Sequence, residues 1–217
     1  MPIWSGTVKL AHKYGLPYWV VLACIGLIFA GFLLPETISG LRQDYTSSAN
    51  FISELGAVDA PYRSIINFVG FPLVGLSLLL MLAFIWRQLS DGPLARAGLI
   101  CIAIGIPFAY IMTVIFPCDY GCPMEGSARQ MIHNFAGLIE YIIGTLGFIL
   151  LSIGIGKLVG PFMRAVIFAV GIIMIVSFFM MLVPSQDAIR GAWQRFADYS
   201  AFTLMIALVF RFRLRHN

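Results

Sequence analysis

Residues 132–156 read IHNFAGLIEYIIGTLGFILLSIGIG. At 1.5 Å per residue, a helix of that length rises ~37 Å, enough to cross the ~30 Å hydrocarbon layer of a bilayer. After His133, a single ionisable residue, Glu140, interrupts the run. Five further apolar runs flank it: Leu16–Leu34, Ile65–Trp86, Gly98–Phe116, Met163–Val183 and Ala192–Phe210. The last is the most polar, with Asp198 in its first turns. Of 217 residues, 60% are apolar and 11% charged, and the mean hydropathy is +0.91. A soluble domain of this size cannot cover itself with so few charges. The expectation is an all-α membrane protein, one domain over residues 1–217 built as a six-transmembrane helix bundle.

The first run follows Lys9 and Lys13, as in a signal peptide. It is too long for a signal core, and Gly-Phe-Leu-Leu-Pro-Glu follows instead of a small-residue cleavage site, so it reads as a retained helix. Orientation comes from Lys and Arg. Nine of them (Lys9, Lys13, Arg87, Arg96, Lys157, Arg164, Arg211, Arg213 and Arg215) fall on one side, in short segments. Five (Arg42, Arg63, Arg129, Arg190 and Arg195) fall on the other, and the first side has a single acid, Asp91. The positive-inside rule places the nine, and both termini, in the cytoplasm of a cell membrane. The net charge of +4 then anchors helices to anionic headgroups. No basic stripe with interleaved aromatics lies outside the spans, so nucleic acid is not an expected partner and membrane lipid is.

The chain also suggests three hairpins. Each outward run meets a proline (Pro35, Pro117, Pro184) followed within three residues by an acid. Proline disrupts the helical ladder, so each reads as a stop. The returning runs open on Asn67-Phe68-Val69-Gly70, Asn134-Phe135-Ala136-Gly137 and, more weakly, Arg195-Phe196-Ala197-Asp198. Prolines and amides are common at membrane helix ends, which is the plainer account.

Polar residues gather on the outer side. In the first loop, expected over 35–64, residues 47–56 read as a short capped helix lying on the bundle, with Asn50, Ser53 and Glu54 around it. In the second, Cys118 and Cys122 flank a tight turn carrying Asp119. A disulfide, free thiols or a metal are the readings open to that pair, and an oxidising face favours the disulfide. Two cysteines and one histidine fall short of a closed zinc site. Nor can a single outer histidine build a bis-histidine haem or a tri-histidine metal centre, so no cofactor is expected.

His133 opens the fourth run, with Asn134 after it. A histidine held by a carboxylate and facing a hydroxyl is the arrangement of nucleophilic catalysis. The corresponding trio is His133 as base, Asp119 as its orienting partner and Ser53 as nucleophile. The plainer reading is a structural histidine at a helix start. Glu140 lies two turns deeper on the same face, near Gly137, Gly144 and Gly147, which let helices approach. No Lys or Arg in the spans can pair with it, so the expectation is a protonated Glu140, or one hydrogen-bonded to groups such as Tyr110, Thr113 or Ser77. An ionisable group at that depth is a functional hypothesis by default. Gln194 and Arg195 in the third loop complete the set of candidate ligand-binding residues with Asn50, Glu54, Asn134 and Glu140, Arg195 as a phosphate holder. Ion pairing of Arg190 and Arg195 with Asp119, Asp187 or Asp198 is the alternative.

Asn50-Phe51-Ile52-Ser53-Glu54-Leu55-Gly56, Phe116-Pro117-Cys118-Asp119, His133-Asn134-Phe135-Ala136-Gly137 and residues 191–195 together resemble the integral membrane proteins catalogued as domain of unknown function 998. The resemblance runs from the first span to the sixth and implies fold and topology, but no reaction. A more distant similarity to six-span proteins of GPI-lipid remodelling transfers no residue role. The expectation is an outer-leaflet site that binds or modifies a lipid or amphipathic ligand. The alternatives are a proton-coupled transporter using Glu140, or a non-catalytic membrane scaffold.

Overall fold

The structure, a computed structural model, describes residues 15–88, 92–155 and 158–213. Lys9, His12, Lys13, Asp91, Lys157, Arg215 and His216 lie outside the described residues. Six long helices account for most of the rest: α1 (Tyr18–Leu41), α2 (Arg63–Gln88), α3 (Pro93–Ile115), α4 (Ala128–Gly154), α5 (Pro161–Met181) and α6 (Arg190–Arg213). The first five are long and apolar enough to cross a membrane. α6 has 24 residues and encloses Arg195 and Asp198, both buried. Each helix packs on the next in sequence, and α6 closes the bundle against α2 and α1. Leu27, Leu78, Met81, Ile102, Phe148 and Phe202 form the innermost packing. Leu33, Phe68, Phe135, Phe162 and Phe179 face outward and exposed, the apolar girdle a lipid-solvated bundle requires.

Glycines set the tightest seam, between α3 and α4. A Cβ on Gly98 would lie 2.8 Å from the Gly147 carbonyl oxygen, and one on Gly105 would lie 2.7 Å from the Gly144 nitrogen. The backbones themselves touch, as small residues permit in membranes.

Two of the three prolines end helices as expected: α3 stops at Ile115 before Pro117, and α5 at Met181 before Pro184. Pro35 does not. α1 continues through it to Leu41, seven residues past the expected boundary at Leu34. The reason is a π-helical turn over Phe29–Leu33, just before the proline. A wider turn shifts the hydrogen-bond ladder where Pro35 lacks an N–H and would press on a carbonyl. α2 carries a matching π turn at Ile66–Gly70, and the two turns pack together. The first outer loop therefore begins at Arg42 and ends before Arg63.

The Asn/Arg-Phe elements sit one turn inside the returning helices rather than at their first residues, and each clamps a loop backbone. Asn67 Nδ2 donates to the Gly56 carbonyl (2.8 Å). Asn134 Nδ2 donates to the carbonyls of Met124 (2.9 Å) and Pro123 (3.3 Å). Arg195 Nη1 donates to the carbonyls of Ser47 (2.7 Å) and Asn50 (3.0 Å). The first two hold the loop of their own hairpin. Arg195 instead reaches the first outer loop, which thereby lies across the start of α6.

Candidate functional site

The first outer loop folds around a short 3-10 helix, Ile52–Gly56, closed by Gly56. Ile52 and Leu55 are buried in the bundle. Glu54, also buried, organises the turn: its carboxylate accepts from Phe51 N (2.9 Å), Asn50 Nδ2 (2.8 Å) and Arg190 Nη2 (3.3 Å). Arg190 also stacks over the Phe51 ring. Gly191 is required where the loop crosses α6, because any Cβ there would strike the Asn50 carbonyl. Ala192 N donates to the Ser48 carbonyl (2.8 Å), and Ile52 N donates to Gln194 Oε1 (2.6 Å).

Arg195 is spent in this clamp. Besides Ser47 and Asn50 it donates to Glu36 Oε1 (2.7 Å), the Tyr45 hydroxyl (2.9 Å) and the Gly191 carbonyl (3.3 Å). The expected role as phosphate holder is therefore corrected: its donors are turned onto the protein. Tyr199 donates to the same Glu36 oxygen (2.5 Å). Burial pushes the Tyr45 hydroxyl up to about 12, so it stays a donor, to the Phe51 carbonyl (2.8 Å). Asp44 ties the first two loops together, accepting from Arg42 (2.6 Å) and Tyr120 (2.6 Å). These partners, Arg42 foremost, hold its carboxyl well below the usual range.

The second loop is pinned separately. Cys118 and Cys122 are joined by a disulfide, with Cα atoms 5.2 Å apart. Cys122 adopts φ 43° after Gly121 at φ 77°, a left-handed turn that glycine supplies at little cost. Asp119 accepts from Ser127 N (2.9 Å), Ser127 Oγ (2.8 Å) and Arg129 Nη2 (2.7 Å). The Ser127 backbone N–H first, then Arg129 and the Ser127 hydroxyl, hold the Asp119 carboxyl down at about 2. Gln130, wholly buried, accepts from Asp119 N (2.7 Å) and donates to Asn134 Oδ1 (2.8 Å).

This arrangement does not assemble the expected Ser53–His133–Asp119 relay. His133 Nδ1 bonds the Phe116 carbonyl (3.0 Å), and no hydrogen bond joins His133 to Asp119 or Ser53 among the described residues. Asp119 is drawn instead to a neighbouring helix start and a cation, which satisfy it better than a neutral imidazole would. Ser53 Oγ lies 3.4 Å from Cys122 Sγ. The donor atoms of Cys118, Cys122 and His133 all lie within 4.8 Å of one another. Joined as a disulfide, however, the sulfurs present no thiolate to a metal.

What does converge is a cavity of about 420 Å³ under the 3-10 helix, between α3, α4, α5 and the start of α6. His133, Asn134 and Glu140 line it from α4, Ser53 from the loop, and Gln194 from α6; Cys122 closes its rim. Asn50, Glu54, Asp119, Arg195 and Cys118 stand outside its lining. Phe51, Phe71, Phe135 and Phe178 supply most of the apolar wall. Glu140 sits deep in it, 7% exposed. Among the described residues no hydrogen bond joins Glu140 to Tyr110, Thr113 or Ser77, so the expected hydrogen-bonded arrangement is not formed. Tyr110 and Tyr141 both donate to Asp198 (3.0 and 3.1 Å), and Thr113 donates to the Ala109 carbonyl (3.0 Å). Glu140 Oε1 is left without a partner among the described residues. The Asp198–tyrosine cluster and the Glu36–Arg195 pair join residues 57 to 159 positions apart, and no local pattern announces them. Glu36 carried a misleading signal, because it follows a proline that reads as a helix stop.

No protein of curated function and no solved structure matches the chain. The family described as "Protein of unknown function (DUF998)" matches over residues 22–211. That match takes in all six helices but the first turn of α1 and the last of α6, together with every residue of the cavity, and the chain belongs to this family of membrane proteins.

Proposed function

We propose that the chain spans a cell membrane six times, with both termini cytoplasmic, and binds an amphipathic ligand such as a lipid at its extracytoplasmic end. The observation that carries the reading is the cavity: about 420 Å³, within the range of small-molecule sites, with apolar walls and a few polar groups converging at one end of the bundle. With no hydrogen bond joining His133 to Asp119 or Ser53 among the described residues, binding is better supported than acyl transfer.

The six-span count draws on α6. Its 24 residues rise ~36 Å, and its Arg195 and Asp198 are buried in protein rather than turned to lipid, where such groups are tolerated. Arg87, Arg96, Arg164, Arg211 and Arg213 support the cytoplasmic assignment. Gln43→Cys should react with an impermeant maleimide on intact cells and Gly92→Cys only after lysis; the reverse pattern removes the orientation.

Gly137 gives the functional test. It lines the cavity, and a Cβ there meets nothing within 4 Å. Gly137→Leu should fill the space without a clash, and gain roughly 0.5–1 kcal/mol in helix propensity. Photo-cross-linking with a diazirine-bearing amphiphile should label peptides around residues 131–141 in the parent protein and not in the variant. Equal labelling of both would sink the reading.

Proton-coupled transport is a second reading, favoured by a second buried carboxyl, Asp198, within electrostatic reach of Glu140. Uptake into proteoliposomes that is unchanged by Glu140→Gln removes it.

A further inference from the structure

Resting on the reading of the cavity as a ligand site, we infer that its ligand carries an ammonium group on an apolar body, with the ammonium seated at Glu140.

The wall has an unmet acceptor. Glu140 is more than nine-tenths buried, and its Oε1 has no hydrogen-bond partner among the described residues. A buried carboxyl oxygen left without a donor is costly. The donors nearest in kind are committed elsewhere: the Tyr110 and Tyr141 hydroxyls to Asp198, and the Thr113 hydroxyl to its own helix. His133 lies two turns up α4, ~10 Å along the axis, with Nδ1 on the Phe116 carbonyl. A ligand ammonium would supply the donor that these groups do not give to Glu140.

Charge and shape agree. Among the described residues, no lysine or arginine lines the cavity. The two cations above it, Arg190 and Arg195, are tied to Glu54 and Glu36. An anionic headgroup would meet no counter-charge there, whereas a cation meets Glu140, with Asp198 behind it. The aromatic wall, with Tyr141 stacked on Phe178 (5.5 Å between centroids) and Phe71 edge-on to Tyr110 (5.7 Å), is of the kind that attracts a cation. Methionines Met124, Met131 and Met181 complete an adaptable apolar surround for the body of the ligand.

Two sources share this chemistry: a free long-chain amine, and the ethanolamine headgroup of a phospholipid.

The test uses the full chain in phosphatidylcholine nanodiscs, titrated with dodecylamine and with dodecanol. Binding is read as ligand-dependent thermal stabilisation and by native mass spectrometry. A charge-assisted hydrogen bond predicts that dodecylamine binds at least about tenfold tighter than dodecanol. Glu140→Gln should shrink the preference to within about twofold while dodecanol binding holds, which also certifies the variant's fold. Gly137→Leu should abolish binding of both. Equal affinities in the parent protein, or a preference surviving Glu140→Gln, overturn the ammonium inference and leave the cavity reading standing. Binding of both compounds insensitive to Gly137→Leu overturns both. Competition by nanodiscs containing phosphatidylethanolamine assigns the ammonium to a lipid; its absence, with dodecylamine still bound, assigns it to a free amine.

Discussion

Arg195→Ala removes the group on which the outer end of the bundle closes. Arg195 is 8% exposed, and its guanidinium donates to Glu36, Tyr45 and three loop or helix carbonyls. Breaking a buried ion pair by deleting one partner costs about 3–5 kcal/mol. The Glu36 side chain is 42% exposed, so water recovers much of its share and the ion-pair part falls toward about 1 kcal/mol. The carbonyls of Ser47 and Asn50 lose a charged donor under a folded loop, each worth roughly 1 kcal/mol or more. The sum is about 3 kcal/mol. Thermal unfolding in nonionic detergent would read the loss, and hydrogen exchange would localise it to amides 45–52. Because α6 holds this loop, exchange should accelerate there and leave the α3–α4 seam unchanged. Arg195→Lys should recover less than half, since an ammonium cannot reproduce a planar fork of donors. A double-mutant cycle with Glu36→Gln should return a coupling near 1 kcal/mol. A loss under 1 kcal/mol with unaltered exchange at 45–52 would refute the clamp.

The second loop offers two independent checks. Cys118→Ser removes a bond that closes a very short loop, so the stability cost should be near 2 kcal/mol in the chain-entropy account; a thermal melt measures it, and an unchanged melt would mean the turn stands without the bond. Asp119 supplies a pH dependence. Its carboxyl is depressed from an ordinary 3.8 to about 2, so its contribution is complete above pH ~4 and is lost as pH falls through about 2. Amide exchange in residues 119–128 should therefore stay slow down to about pH 4 and accelerate below it, and Asp119→Asn should flatten the profile.

Much of this protein is written locally. Six apolar runs and their period follow from the energetics of placing helices in lipid, and each run became a helix. Pro117 and Pro184 mark helix ends because a missing N–H acts within one turn. Within the stretch 47–56 expected to hold a short helix, only Ile52–Gly56 form one, a 3-10 turn, because its cap, Glu54 onto Phe51 N, spans three residues. The cysteines of the second loop are close because four residues of chain cannot separate them far. Pro35 marks the limit of such reasoning: whether a proline stops a helix depends on the turn before it, and the π turn at Phe29–Leu33 is paired with another on α2.

The site lies on the other side of that limit. His133, Glu140, Ser53, Asn134 and Gln194 share one cavity, yet Asp119 and Arg195, chosen from sequence by the same argument, do not. The sequence shows that a residue is titratable and at which end of the bundle it falls. It does not show which of several competing partners takes it. Asp119 went to Ser127 and Arg129, Arg195 to Glu36 and the first loop, and the tyrosines to Asp198. Each choice minimises unpaired buried polarity over the whole bundle at once, and only tertiary packing carries out that minimisation. Glu140 Oε1 is one of the buried polar atoms that packing leaves unpaired among the described residues, and the one of them that lies in the cavity.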